Sequence, residues 1–176
     1  MKTPLAAIAL GAAAGIAGTA VMTGVQLAEQ KLRGGGASAP PASWDDAPAP
    51  AQVAERVASG VFEHPLDLEQ APRITNLVHW SYGTLWGIGF GIVQRSLGLP
   101  VVPAAVGFGT LVWASDYVVL PAMKIYKPAW RYPASTLAID LGRHLAYGAG
   151  VAGAFALLDR RAPPGRRRLR RLTRLG

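Results

Sequence analysis

Residues 4–25 read PLAAIALGAAAGIAGTAVMTGV, a run of 22 residues without a charge. A bilayer core of about 30 Å is crossed by roughly 20 apolar residues in a helix, so this run is long enough to span. Working outward from it, three further stretches have similar length. Residues 74–93 carry one His, residues 101–120 one Asp, and residues 134–158 carry Asp140, Arg143 and His144. The clean apolar part of the last, Leu145 to Leu158, is too short to cross alone. Together the four stretches predict an all-α integral membrane protein, a four-helix transmembrane bundle. Lys2, the apolar run and the small residues Ala17 to Ala20 also fit a signal peptide. The length of the run and the helical register of its small residues favour a packed span.

The composition agrees. Hydrophobic residues make up 51% of the chain and charged residues 16%, against about 25% charged in a soluble domain. Disorder is thereby excluded for most of the chain. The absence of Cys excludes a disulfide framework, a Cys-ligated zinc site, a Cys nucleophile and covalently attached haem. A pI near 10.4 suggests a nucleic-acid binder, but the charge is badly placed for one. Eight of the 18 basic residues are arginines between Arg160 and Arg174, and the chain before them is neutral. Residues 159–176 thus read as a basic disordered tail on the cytoplasmic side. Each of its arginines is worth about 1 kcal/mol near anionic lipids. The tail has no aromatic residue on which a base could stack, so nucleic acid is not an expected partner.

Loop charges set orientation. The domain plan is a first transmembrane helix over 1–27, an outer loop over 28–73, three further transmembrane helices over 74–158, and the tail. The outer loop is acidic, while Lys2, Arg95 and the tail are basic, which places both termini in the cytoplasm. Lys124, Lys127 and Arg131 then lie outside, against the rule, and the tail outweighs them. Within the outer loop, Gly34 to Pro50 is a Gly, Ala and Pro-rich linker. Ala51 to Phe62 spaces Val53, Val57 and Val61 as a helix does, either on the membrane surface or as a solvated loop helix. Trp80, Tyr82, Trp113, Tyr117, Tyr126, Trp130 and Tyr132 fall near the outer surface as an aromatic belt.

Helices in lipid associate through small residues that let backbones approach. Gly11, Gly15, Thr19 and Thr23 share one face of the first span, and Gly83, Gly87 and Gly91 one face of the second. Gly148 and Ala152 do so in the fourth, and Ala105, Gly107 and Gly109 form a looser set in the third. A compact bundle is expected, and the same ridges suit a homo-oligomer or another membrane partner.

Ionisable residues inside a membrane face protein or water. His79, Asp116, Asp140 and His144 lie about 6 to 15 Å below the outer surface at 1.5 Å per residue. Asp116 or Asp140 is expected to pair with Arg143, because an unpaired buried charge costs several kcal/mol. The other carboxylate and the two histidines then share protons, bind a ligand, or simply fix helix register. His79-x-x-Tyr82-Gly83 recurs as His144-x-x-Tyr147-Gly148, which suggests two repeated helical hairpins. If so, His79 and His144 are symmetry mates, the arrangement that ligates haem b or a metal. A haem- or metal-binding redox subunit is therefore the alternative to a protein without cofactor. No Gly-x-Ser-x-Gly, His-Glu-x-x-His, P-loop or dinucleotide fingerprint is present, so an enzyme is not expected. His64, beside Glu63 and Asp67, is the one titratable candidate outside the cluster.

Val112-Trp113, Leu120-Pro121-Ala122-Met123, Pro128-Ala129-Trp130, Pro133 and His144 resemble the YagU-like family of bacterial inner-membrane proteins. His79-x-x-Tyr82-Gly83 is similar to the same family's earlier span. The resemblance covers about residues 74 to 150. It implies a small multi-span protein of the bacterial inner membrane, and no settled activity, substrate or cofactor. The expected function is handling of protons or small solutes, or assembly of a membrane complex.

Overall fold

The computed structural model describes residues 4–35 and 39–159, and among them helices are joined by turns and irregular segments, without a strand. Five helices follow in order: α1 (Pro4–Leu32), α2 (Ala49–Phe62), α3 (Ala71–Leu97), α4 (Val101–Ala122) and α5 (Ala134–Leu158). Two of them, α1 and α4, are long and apolar enough to cross a membrane. The arginine tail from Arg160 and Lys2 lie outside the described residues.

Helix ends follow local chemistry. Pro72 sits in the first turn of α3, where its missing N–H costs nothing. Gly98 closes α3 with φ +61°, a left-handed conformation that glycine adopts freely. Pro100 and Pro133 then stand just before α4 and α5.

The four long helices pack antiparallel. α1 lies between α3 and α5, and α4 packs on the far side of α5. The glycine faces read from the sequence are the faces in contact. A methyl group added to Gly11 would stand 2.5 Å from the Gly87 carbonyl oxygen, and one on Gly15 2.6 Å from that of Gly83. On α4 and α5, a methyl on Gly109 would meet the His144 carbonyl oxygen at 2.5 Å, and Gly148 fits against Ala105 and Gly109. Gly150 and Gly18 bring α5 onto α1. Gly107, read with the α4 set, has open space around it instead.

α3 and α4, although joined by a short turn, hardly approach each other along the backbone. Rings hold them apart: Trp86 and Phe90 of α3 both pack on Phe108 of α4, with centroids 6.1 and 4.9 Å away. Phe155 and Tyr147 of α5 complete this aromatic core. The two hairpins therefore share a glycine-packed interface but not a strict two-fold relation. α1 meets α5 closely, while its counterpart pair, α3 and α4, is wedged open.

Several expected boundaries shift. α1 runs to Leu32 rather than ending near residue 27, and α3 starts at Ala71 rather than Ile74. The second half of the linker is ordered, with a 3-10 turn over Trp44–Asp46. Trp44 packs with Leu68 and Ile74 around the buried residues Ala47, Ala51 and Ala71, which docks α2 on the start of α3. α2 is the expected helix, but its valine stripe divides: Val53 turns inward, while Val61 is 70% exposed.

Candidate functional site: a capped polar cavity

A cavity of about 280 Å³ opens at the end of the bundle where α1 and α4 finish and α3 and α5 begin. Every predicted cluster residue lines it: His79 from α3, Asp116 from α4, and Asp140, Arg143 and His144 from α5. α1 contributes Thr19, Met22 and Gln26, spaced by three and four residues along one face. Ala49, Pro50 and Val53 of α2 close part of the rim. α2 is also tied across to the α4–α5 loop, where an Arg56 guanidinium nitrogen donates to the Lys124 carbonyl at 3.4 Å. Below Trp86 and Tyr147, the Phe90, Phe108 and Phe155 rings fill the middle of the bundle.

The polar groups are coupled in pairs. His144 is buried, and both ring nitrogens are engaged. Nδ1 lies 2.8 Å from the Asp140 carbonyl oxygen, and Nε2 lies 3.1 Å from Asp116 Oδ2. The other Asp116 oxygen accepts from the Tyr82 hydroxyl at 2.8 Å. Because a carbonyl only accepts, Nδ1 must carry a hydrogen. A hydrogen bond between Nε2 and Asp116 then needs one proton, shared between imidazole and carboxylate. Whether it is drawn as carboxyl with imidazole or as carboxylate with imidazolium, the pair has zero net charge. Such neutrality suits a low-dielectric site.

Arg143 does not pair with Asp116 or Asp140 as expected. Its Nε and one terminal nitrogen donate to Glu29 Oε2, at 2.9 and 2.6 Å. Glu29 is reached because α1 continues past the expected end of the span. The signal was in the sequence: the cavity face at Thr19, Met22 and Gln26 continues, by the same spacing, to Glu29. Asp140 keeps a looser neighbour, His144 Nδ1 at 3.8 Å from its carboxylate. His79 Nε2 faces the Thr23 hydroxyl at 3.4 Å.

The histidine repeat divides in its details. Tyr147 donates to the Gly83 carbonyl at 2.5 Å, whereas its counterpart Tyr82 donates to Asp116. His79 and His144 line one cavity, but His144 has no unengaged nitrogen to offer a haem or metal. Among the described residues, no group of three or more His, Asp or Glu side chains could hold a metal ion. His64 is exposed and away from the cavity.

The aromatic belt appears in part as one cluster. Tyr117 contacts Trp113, Tyr126 and Tyr132, with centroid distances of 5.2 to 5.8 Å. Tyr126, in the loop after α4, also lines the cavity. Burial first, and then the Asp140 and Asp116 carboxylates, push its hydroxyl up to about 12, so it stays protonated at neutral pH. At the opposite end of the bundle, which the sequence did not mark as a site, Arg95 and the buried Asp159 form an ion pair at 3.3 Å.

No protein-family model matches the chain, and no curated protein and no solved structure matches it either.

Proposed function

We propose that this chain is a four-span protein of the bacterial inner membrane, with both termini cytoplasmic, that exchanges protons with small solutes at one face. The observation that carries the proton reading is the hydrogen bond between Asp116 and His144, with Nδ1 of the ring fixed on the Asp140 carbonyl. This pair stores one proton beside a cavity of solute size. The aromatic layer beneath it favours a one-sided site over a continuous pore.

The membrane assignment has its own support. α1, α3 and α4 all turn large apolar side chains outward, among them Ile16 and Val21, Leu77 and Leu85, and Val106 and Leu111. A soluble bundle would place charged residues there. The average hydropathy of α3 and α5 is lowered by His79, Asp140, Arg143 and His144, all of which line the interior cavity. The residues between Leu120 and Pro133 that resemble the YagU-like proteins cover the end of α4 and the loop before α5, and the resemblance supports the same reading.

Asp116→Asn separates proton storage from structure, because the amide can still donate to Nε2. Nitrogen NMR of His144 in the wild type should report a proton shared with Asp116. In the variant the ring should become an ordinary neutral imidazole, with the melting temperature little changed. An identical His144 signal in both proteins would end the proton reading.

A further inference from the structure

The cavity has one charge that its surroundings leave uncompensated. Asp116 and His144 sum to zero through their shared proton. Arg143 and Glu29 sum to zero as an ion pair. His79 faces a hydroxyl, and Tyr82 and Tyr126 are phenols. That leaves Asp140. Among the described residues its ion-pair partner is His144 Nδ1 at 3.8 Å, a nitrogen already donating to the Asp140 carbonyl, and the Tyr117 hydroxyl adds a hydrogen bond but no charge. A carboxylate in a largely apolar cavity demands a positive partner.

The walls describe that partner further. Tyr82, Trp86 and Tyr126 present three rings, and aromatic faces attract cations, more strongly when water is excluded. Met22, Val53 and Val112 supply apolar wall. The volume of about 280 Å³ sits at the low end for ligand pockets. An anion would have to draw Arg143 away from Glu29 and approach Asp140 as a like charge.

We infer that this cavity binds a small organic cation, an ammonium group carrying a short apolar substituent, with Asp140 as its counter-ion and the tyrosine and tryptophan rings around it. The inference rests on the proposed reading of the site as one for small solutes. Bound there, the ammonium restores neutrality, and its substituent lies toward Val53 beneath α2.

The test is calorimetry on the full chain in lipid nanodiscs, with n-butylammonium as the probe and 1-butanol and butyrate as controls. Empty nanodiscs supply the background. The expected result is saturable binding of n-butylammonium alone. Asp140→Asn should weaken it by about thirtyfold, the worth of one charge-assisted contact. Val53→Trp, which fills the cavity and leaves Asp140 in place, should abolish it. Equal affinity in Asp140→Asn and wild type overturns the inference, as does preferential binding of butyrate or no saturable binding to folded wild type. Loss of cation binding with the expected His144 signal intact removes this inference alone. Cation binding with an unchanged His144 signal in Asp116→Asn removes the proton reading instead.

Discussion

Gly87 and Gly24 are both helical glycines, and their surroundings could hardly differ more. A methyl group on Gly87 would stand 2.6 Å from both the Gly11 carbonyl oxygen and the Gly15 nitrogen, all backbone, so α1 and α3 would have to separate. A methyl on Gly24 would meet nothing within 4 Å. Gly87→Ala should therefore cost about 1 to 3 kcal/mol, the usual penalty for overpacking. Gly24→Ala should stabilise α1 by up to about 1 kcal/mol through helix propensity. Thermal melts followed by circular dichroism in detergent check both, and equal effects at the two positions would refute the packing argument. At this scale much was legible. Gly11, Gly15, Gly83, Gly87, Gly91 and Gly148 all declared their contacts through four-residue spacing. Gly107 did not, because spacing identifies a face and says nothing of which helix, if any, lies against it.

Among the elements, α1 shows why side-chain partners were harder to read than helices. Its apolar run ends near Val25, but a helix needs no apolar residues once it rises beyond the bundle's core. The extra turn to Leu32 carries Glu29 to Arg143 and takes that arginine away from the carboxylates of its own end of the bundle. Both side chains are about a quarter to a third exposed, so the pair belongs between surface and buried bridges. A double-mutant cycle with Glu29→Gln and Arg143→Gln should give a coupling energy of about 1 kcal/mol. A coupling near zero would show that the two helices are held by glycine packing alone. For α2, the valine spacing predicted a helix and its position over a cavity was invisible. Its docking depends on Trp44, Leu68 and Ile74, which meet only in three dimensions.

For the whole molecule, four packed helices and a shared polar end followed from hydropathy and from the depths of His79, Asp116, Asp140 and His144. The departure from hairpin symmetry did not, since it arises from Phe108 receiving two rings of α3 at once. The absence of native cysteine makes the proposed topology easy to test. Single cysteines at Ser43 and Lys127 should react with a membrane-impermeant maleimide from one side of the membrane, and one at Ser96 from the other. Labelling of all three from a single side would exclude the four-span arrangement.

The narrow end of the bundle is fastened twice. A three-residue turn, Gly98 to Pro100, joins α3 to α4, and the Arg95–Asp159 pair locks α3 to the end of α5. At the cavity end, among the described residues, a tyrosine hydroxyl on Asp116 joins α3 to α4, and no ion pair does. The molecule is thus built like a clothes peg, with its spring at one end and its jaws at the other. The Tyr82–Asp116 contact lies between the jaws beside the cavity, and the ring at position 108 sets the spacing of the two arms.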